Sequence, residues 1–162
     1  MIQRIQSIWL FLAVITLVCL FFLPLLTKTV EGGEYGIYTS GVHHEIKGEA
    51  GSGYSLSSVT SVGWISILPV VLNMVAALLS LITVFLFRNR TLQKRLIGLT
   101  IFMIILMTGC SALNIELLPG GFAGASVKVG TFLPLLAIIF GLLALRGIRK
   151  DEQLLRSADR LR

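Results

Sequence analysis

The sequence predicts an all-α membrane protein: a bundle of four transmembrane helices with both termini cytoplasmic and a small β-hairpin or three-stranded sheet in the first outer loop. Three observations predict it. The chain is 55% hydrophobic and 14% charged, with a mean hydropathy of +0.88, whereas a soluble domain is roughly 45 to 50% apolar and about 25% charged. Apolar stretches recur at the length of roughly 20 residues that crosses about 30 Å of hydrocarbon. Lysine and arginine gather beyond alternate ends of these stretches, as they do when retained in the cytoplasm.

The helices are expected at about 8–26, 62–87, 96–118 and 130–147, the last lengthened by Arg146 reaching back toward the headgroups. A basic N-terminus followed by an apolar run also suits a signal peptide. The first run is longer than a usual h-region, and "PLLTKTVEGG" offers no small-x-small cleavage site, so it reads as a retained helix. Residues 1–150 then form the transmembrane domain, with the outer loop at 27–61, and 151–162 form a cytoplasmic tail.

Orientation follows from the cations. Arg4 precedes the first helix; Arg88, Arg90, Lys94 and Arg95 lie between the second and third; Arg146, Arg149, Lys150, Arg156, Arg160 and Arg162 follow the fourth. The other side holds Lys28, Lys47 and Lys128. A formal net charge of +6 would suit nucleic-acid binding in a soluble domain, but here the charge sits at helix ends, so no nucleic-acid partner is expected.

The tail carries more arginine than topology needs. On a helix, Leu154, Leu155, Ala158 and Leu161 gather on one side, and Arg149, Arg156 and Arg160 on another. Glu152 precedes Arg156 by one helical turn, a favourable pair. The tail reads as an amphipathic helix lying in the interface or packing under the bundle. Arg149, Arg156 and Arg160 are its candidate contacts to lipid headgroups or a partner.

In the outer loop, 34–40 and 42–47 alternate and are rich in Tyr, Ile and Val around a Ser40-Gly41 turn, a hairpin pattern. Tyr54 and Leu56 would add a third strand. His43, His44 and Glu45 include metal-ligand types, but neighbouring strand residues point to opposite faces, so no metal site is expected. "GGFAG", between the third and fourth helices, reads as a flexible turn.

Within the helices the chemistry is sparse. Cys19 and Cys110 stand singly and read as small buried hydrophobes. Histidines for axial haem ligation and mid-helix ionisable residues for proton coupling are missing. Without a nucleophile, base, metal cluster or phosphate loop, the chain reads as a non-enzyme with no cofactor. Asn73, one turn after Pro69, is the deepest amide and the candidate intramembrane polar contact, to another helix or to a carbonyl freed by the proline. Pro69 and Pro134 are both expected to kink their helices near the outer surface. Ala76 with Ser80, Thr108 with Ala112, and Ala137 with Gly141 offer small-residue packing faces. "VGWISILPVVL" and "VGTFLPLLA" hint at a short parallel repeat between helices two and four.

The two ends, "MIQRIQSIWLFLA" and "LALRGIRKDEQLLRSADRLR", resemble the boundary signatures of domain-of-unknown-function family 4293, a family of small four-helix inner-membrane proteins of the Bacteroidota. The resemblance covers the whole chain and is most specific at Arg146, Gly147, Ile148, Asp151 and 156–162. It implies an integral protein of the bacterial inner membrane and transfers no catalytic residue. The expectation is therefore a subunit or stabilising partner of a larger membrane assembly, with membrane lipids and a membrane-protein partner or second copy as its company. The alternative is lipid or amphiphile binding or transport within a bundle splayed by its prolines.

Overall fold

Apolar residues dominate every helix, so burial is decided by which of them meet each other. The computed structural model describes residues 3–30, 33–39, 41–45, 57–58, 63–86, 89–116 and 124–159. Among these, the elements in order are α1 (Gln3–Cys19), β1 (Leu26–Val30), β2 (Gly33–Tyr38), β3 (Gly41–Glu45), β4 (Ser57–Ser58), α2 (Gly63–Phe85), α3 (Arg90–Glu116), β5 (Ala125–Val127), a 3-10 turn (Val129–Phe132) and α4 (Leu133–Asp159).

The buried positions fall at alternating spacings of four and three. They are Leu10, Ala13 and Leu17 on α1, with Thr16 beside them and Leu20 just past its end; Pro69, Asn73, Ala76, Ser80 and Thr83 on α2; and Gln93, Ile97, Thr100, Ile104, Met107 and Ser111 on α3. On α4 they are Pro134, Ala137, Gly141, Ala144, Ile148 and Asp151. This is the spacing that keeps one stripe facing a neighbour along gently supercoiled helices. α2 packs most extensively on α3 and α1 on α4, and the α1–α2 and α3–α4 contacts close the ring. Trp9 and Phe140 add a tilted ring pair with centroids 5.8 Å apart.

The outward surface is apolar as well, with Phe85, Phe102, Ile105, Phe132 and Leu135 among its exposed side chains. The inner stripes, in contrast, hold most of the polar groups. Helical threonines satisfy themselves locally: Thr83 Oγ1 donates to the Leu79 carbonyl at 2.6 Å and Thr100 Oγ1 to that of Leu96 at 2.9 Å. Ile67–Phe85, Arg90–Leu113 and Val129–Leu154 are long and apolar enough to cross a membrane. The apolar part of α1, Ser7–Cys19, falls short of that length.

The first helix therefore departs from its expected span of 8–26. It ends at Cys19, and the apolar residues 20–25 form a non-helical turn that leads into β1 at Leu26. Pro24 lacks an N–H and disfavours helix in the residue before it; Leu25 then donates its N–H to the Ile37 carbonyl at 2.7 Å. Leu25, Leu26 and Ile37 pack with Leu20 and Met107 into one cluster that binds the sheet to the helices. The apolar run is part helix and part non-helical turn, and its last residue opens β1.

The sheet is antiparallel with order β4-β3-β2-β1-β5. Its main strands are β1 to β3, and short β4 and β5 flank them. The β2–β3 hairpin lies where the alternation placed it, in register from Glu34↔Glu45 to Tyr38↔Gly41. The third strand expected at Tyr54 and Leu56 lies outside the described residues; β4, immediately after them, pairs His43↔Ser58 and His44↔Ser57. β1 and β5 extend the sheet beyond the predicted hairpin. Gly124, at φ 80, leads directly into β5, which joins β1 through Leu26↔Val127 and Lys28↔Ala125. The second connection is thus partly a strand of the same sheet.

α4 corrects a second expectation. Pro134 sits in its first turn, where the missing N–H costs no helical bond, so it ends the 3-10 turn smoothly and gives no reason for a kink. Pro69 lies inside α2, which continues through it. α4 also runs without a break past Lys150 to Asp159, and residues 160–162 lie outside the described chain.

The start of α4 is stitched to the end of α1. Lys128 N–H donates to the Leu25 carbonyl at 3.1 Å, Gly130 N–H to that of Pro24 at 3.2 Å, and Thr131 Oγ1 to that of Leu25. A side chain at Gly130 would meet the Pro24 carbonyl carbon at 2.7 Å. Gly130→Ala is expected to destabilise the protein by about 1–3 kcal/mol through that backbone clash, measured as a lower unfolding midpoint in mild detergent, while Gly98→Ala, with open space around it, leaves the midpoint unchanged.

Candidate functional site

The last carbonyls of any helix lack intrahelical donors, and α1 ends in apolar surroundings. Each of its terminal carbonyls finds a partner. Phe21 N–H bonds Val18 at 3.1 Å rather than Leu17, a 3-10 tightening, and Phe22 and Leu23 both donate to Cys19, at 3.1 and 3.2 Å. That tightening leaves Leu17 without its usual donor. Asn73 supplies it: its Nδ2 donates to the Leu17 carbonyl at 3.2 Å across the α1–α2 contact. The Leu20 carbonyl accepts from Thr39 Oγ1, at the end of the β2 strand, also at 3.2 Å. α1 is capped in trans, by an amide from α2 and a hydroxyl from the sheet.

Asn73 and Thr39 are both fully buried. Asn73 spends its donor on α1 and leaves Oδ1 buried without a hydrogen-bond partner; Ser111 Oγ, nearer the sheet on α3, is in the same condition. Toward the other end, Ser80, Thr83 and Thr100 line a cavity with Leu10, Ala13, Ile97 and Gly141. Its volume is about 10 Å³, at the lower limit for a single water.

The end opposite the sheet carries charge. Gln93 is buried and donates Nε2 to the Thr83 carbonyl at 3.3 Å, closing the α2–α3 turn. Lys94 Nζ lies 2.8 Å from both carboxylate oxygens of Glu152 and joins α3 to the continuation of α4. Both partners are partly exposed, so the pair contributes about 0–1 kcal/mol; its main consequence is positional. Asp151, one residue earlier, is buried. The first turn beyond Lys150 therefore packs on the helices.

A family described as Domain of unknown function (DUF4293) matches residues 2–161. The chain belongs to DUF4293. None of the curated proteins compared with it matches. The match covers both ends that carried the resemblance, and the DUF4293 description assigns no activity to any residue.

Of the residues singled out in this DUF4293 chain, Asn73 lies in the interior and touches α1, while Arg149 is exposed on α4. Arg156 is in α4 with its side chain outside the described part, and Arg160 lies outside the described residues altogether. Asn73 and Arg149 lie toward opposite ends and form no common site. Cys19 and Cys110 are half-buried, on α1 and α3, without a disulfide. Thr39 was missed by sequence reasoning: a threonine next to a predicted turn carries no signal that it will reach a helix terminus.

Asn73→Asp is expected to lower stability more than Asn73→Leu. The aspartate turns a second oxygen toward the Leu17 carbonyl and buries a charge, a change of about 3–5 kcal/mol. The leucine loses one hydrogen bond but also removes the unpaired Oδ1, for a net loss of about 1 kcal/mol. Thr39→Val leaves the Leu20 carbonyl unpaired and should cost about 1–3 kcal/mol. Chemical denaturation in detergent checks this ranking.

Proposed function

We propose that this DUF4293 protein is a multi-pass protein of the bacterial inner membrane, with four crossings and both termini cytoplasmic. It acts there as a non-enzymatic subunit or stabilising partner of a larger membrane assembly. The apolar outer surfaces of α2, α3 and α4 support the membrane setting. The orientation rests on the cations: Arg90, Lys94, Arg95, Arg146, Arg149 and Lys150 share the end opposite the sheet.

One observation carries the assembly role. Two of the small-residue faces are consumed inside: Ala76, Ser80, Ala137 and Gly141 are buried. The third is not. Thr108 and Ala112 are exposed on α3, in line with Gly98, Phe102, Ile105 and Gly109. A side chain at Gly98 or Gly109 would meet nothing within 4 Å. Small residues on a membrane-facing stripe let a neighbouring backbone approach, and this stripe has no neighbour among the described residues. Amphiphile binding inside the bundle draws less support, because the cavity at Ser80, Thr83 and Thr100 holds at most a water.

Native mass spectrometry from mild detergent tests the proposal. A species heavier than the 17.7 kDa chain is expected, lost on replacing Gly109→Leu and Ala112→Leu together while the fold is retained. A wild-type protein that is always recovered alone would sink it. Retained lipid on such a monomer, lost with Asn73→Leu, would favour the amphiphile reading instead.

A further inference from the structure

The short α1 raises a question of depth. If the hydrocarbon begins near Ile8, then 8–19 rise about 18 Å of the roughly 30 Å to be crossed. About 12 Å remains for the non-helical chain after Cys19. Roughly 20 helical residues forward from Arg95 along α3 reach a position near 115; back from Arg146, α4 to Leu133 rises about 20 Å and the 3-10 turn about 8 Å more, so the layer ends near Lys128. These counts put 20–25, which begin beside Met107, and 129–132 within the apolar layer.

Backbone outside a helix or closed sheet survives in hydrocarbon only if its polar groups are satisfied within the protein. The donors of this segment meet that condition one by one. Leu20 N–H bonds Thr16 at 3.1 Å, Phe21 bonds Val18, Phe22 and Leu23 bond Cys19, Pro24 has no N–H, and Leu25 bonds Ile37. On the facing segment Lys128, Gly130 and Thr131 N–H groups bond Leu25, Pro24 and Lys128. The largest exposed side chains are apolar, Phe22 at 77%, Val129 at 67% and Phe132 at 62%, and exposed Thr131 spends its hydroxyl on the Leu25 carbonyl. Lys128 is exposed among them.

We infer that these two segments form a non-helical collar set inside the sheet-side leaflet, its partner being the phospholipid of that leaflet. Phe22, Leu23, Val129 and Phe132 contact acyl chains. Lys128 lays its methylene stem along them and carries its ammonium out to the headgroup phosphates. The collar fixes how deep the sheet rides, so that the Leu26–Val127 end of the β1–β5 ladder lies at the hydrocarbon edge. The inference rests on the membrane-spanning reading above.

The test uses nitroxide labels at single cysteines in a Cys19→Ala, Cys110→Ala chain, reconstituted in phosphatidylethanolamine–phosphatidylglycerol vesicles. Sites are Phe22→Cys, Val129→Cys and Phe132→Cys, with Phe102→Cys as a mid-helix control and Lys150→Cys as an aqueous one. Collar labels are expected to relax with oxygen as Phe102 does, and several-fold less with a water-soluble nickel chelate than Lys150 does. Collar labels as nickel-accessible as Lys150, with Phe102 still shielded, would overturn the collar and leave the spanning reading intact. Nickel access at Phe102 too would overturn both. On the unaltered chain, a phospholipid bearing a diazirine high in its acyl chain should label peptides containing Phe22 and Phe132; labelling confined to α2 and α3 refutes the proposal without any substitution.

Discussion

A helix that stops in apolar surroundings leaves carbonyl groups that water cannot reach, each costing several kcal/mol if left open. In this protein α1 is that helix, and the rest of the architecture is arranged around its end. Asn73 reaches across from α2 to the Leu17 carbonyl, and Thr39 reaches down from the sheet to that of Leu20. The sheet, the adjoining helix and α1 are thereby joined at one polar point. The cluster of Leu20, Leu25, Leu26, Ile37 and Met107 surrounds that point with apolar contact.

The connection between α1 and the start of α4 depends on the same place. Because the chain leaves α1 at Cys19 and passes through Pro24, the carbonyls of Pro24 and Leu25 become available to Gly130, Lys128 and Thr131. Gly130 is required there for space, since a Cβ would collide with Pro24 backbone. Two loops far apart in sequence thus act as one structural unit. At the opposite end Gln93 and the Lys94–Glu152 pair tie the α2–α3 turn to the continuation of α4. Residues set apart by composition as a tail begin as part of the packed helices.

Much of this could be read in the chain. The apolar stretches of α2, α3 and α4, the β2–β3 hairpin and the small-residue faces at Ala76–Ser80 and Ala137–Gly141 all lie where pattern placed them. Each is a local property: helix and strand periodicity are written in consecutive residues. The end of the first helix was not legible, because Leu20 to Leu26 are as apolar as the helix before them and a turn packed between helices and sheet needs the same residue types. β5 was hidden for a related reason, since three residues after a glycine-rich stretch become a strand only when β1 lies beside them. Asn73 stood out as the deepest amide, but a freed carbonyl of its own helix was as good a partner on paper as one on α1.

The sequence by itself determined that the chain would be built of apolar helices, which of its ends would carry cations, and that it belongs to DUF4293. These follow from composition, spacing and charge, which need no knowledge of what touches what. Only the tertiary structure decided which small-residue faces are buried and which one on α3 stays open, where α1 stops, and how its carbonyls are satisfied. Those are questions of partnership between distant segments. A hydrogen bond from Asn73 to Leu17, or from Thr131 to Leu25, exists only once the helices and the sheet have been brought together.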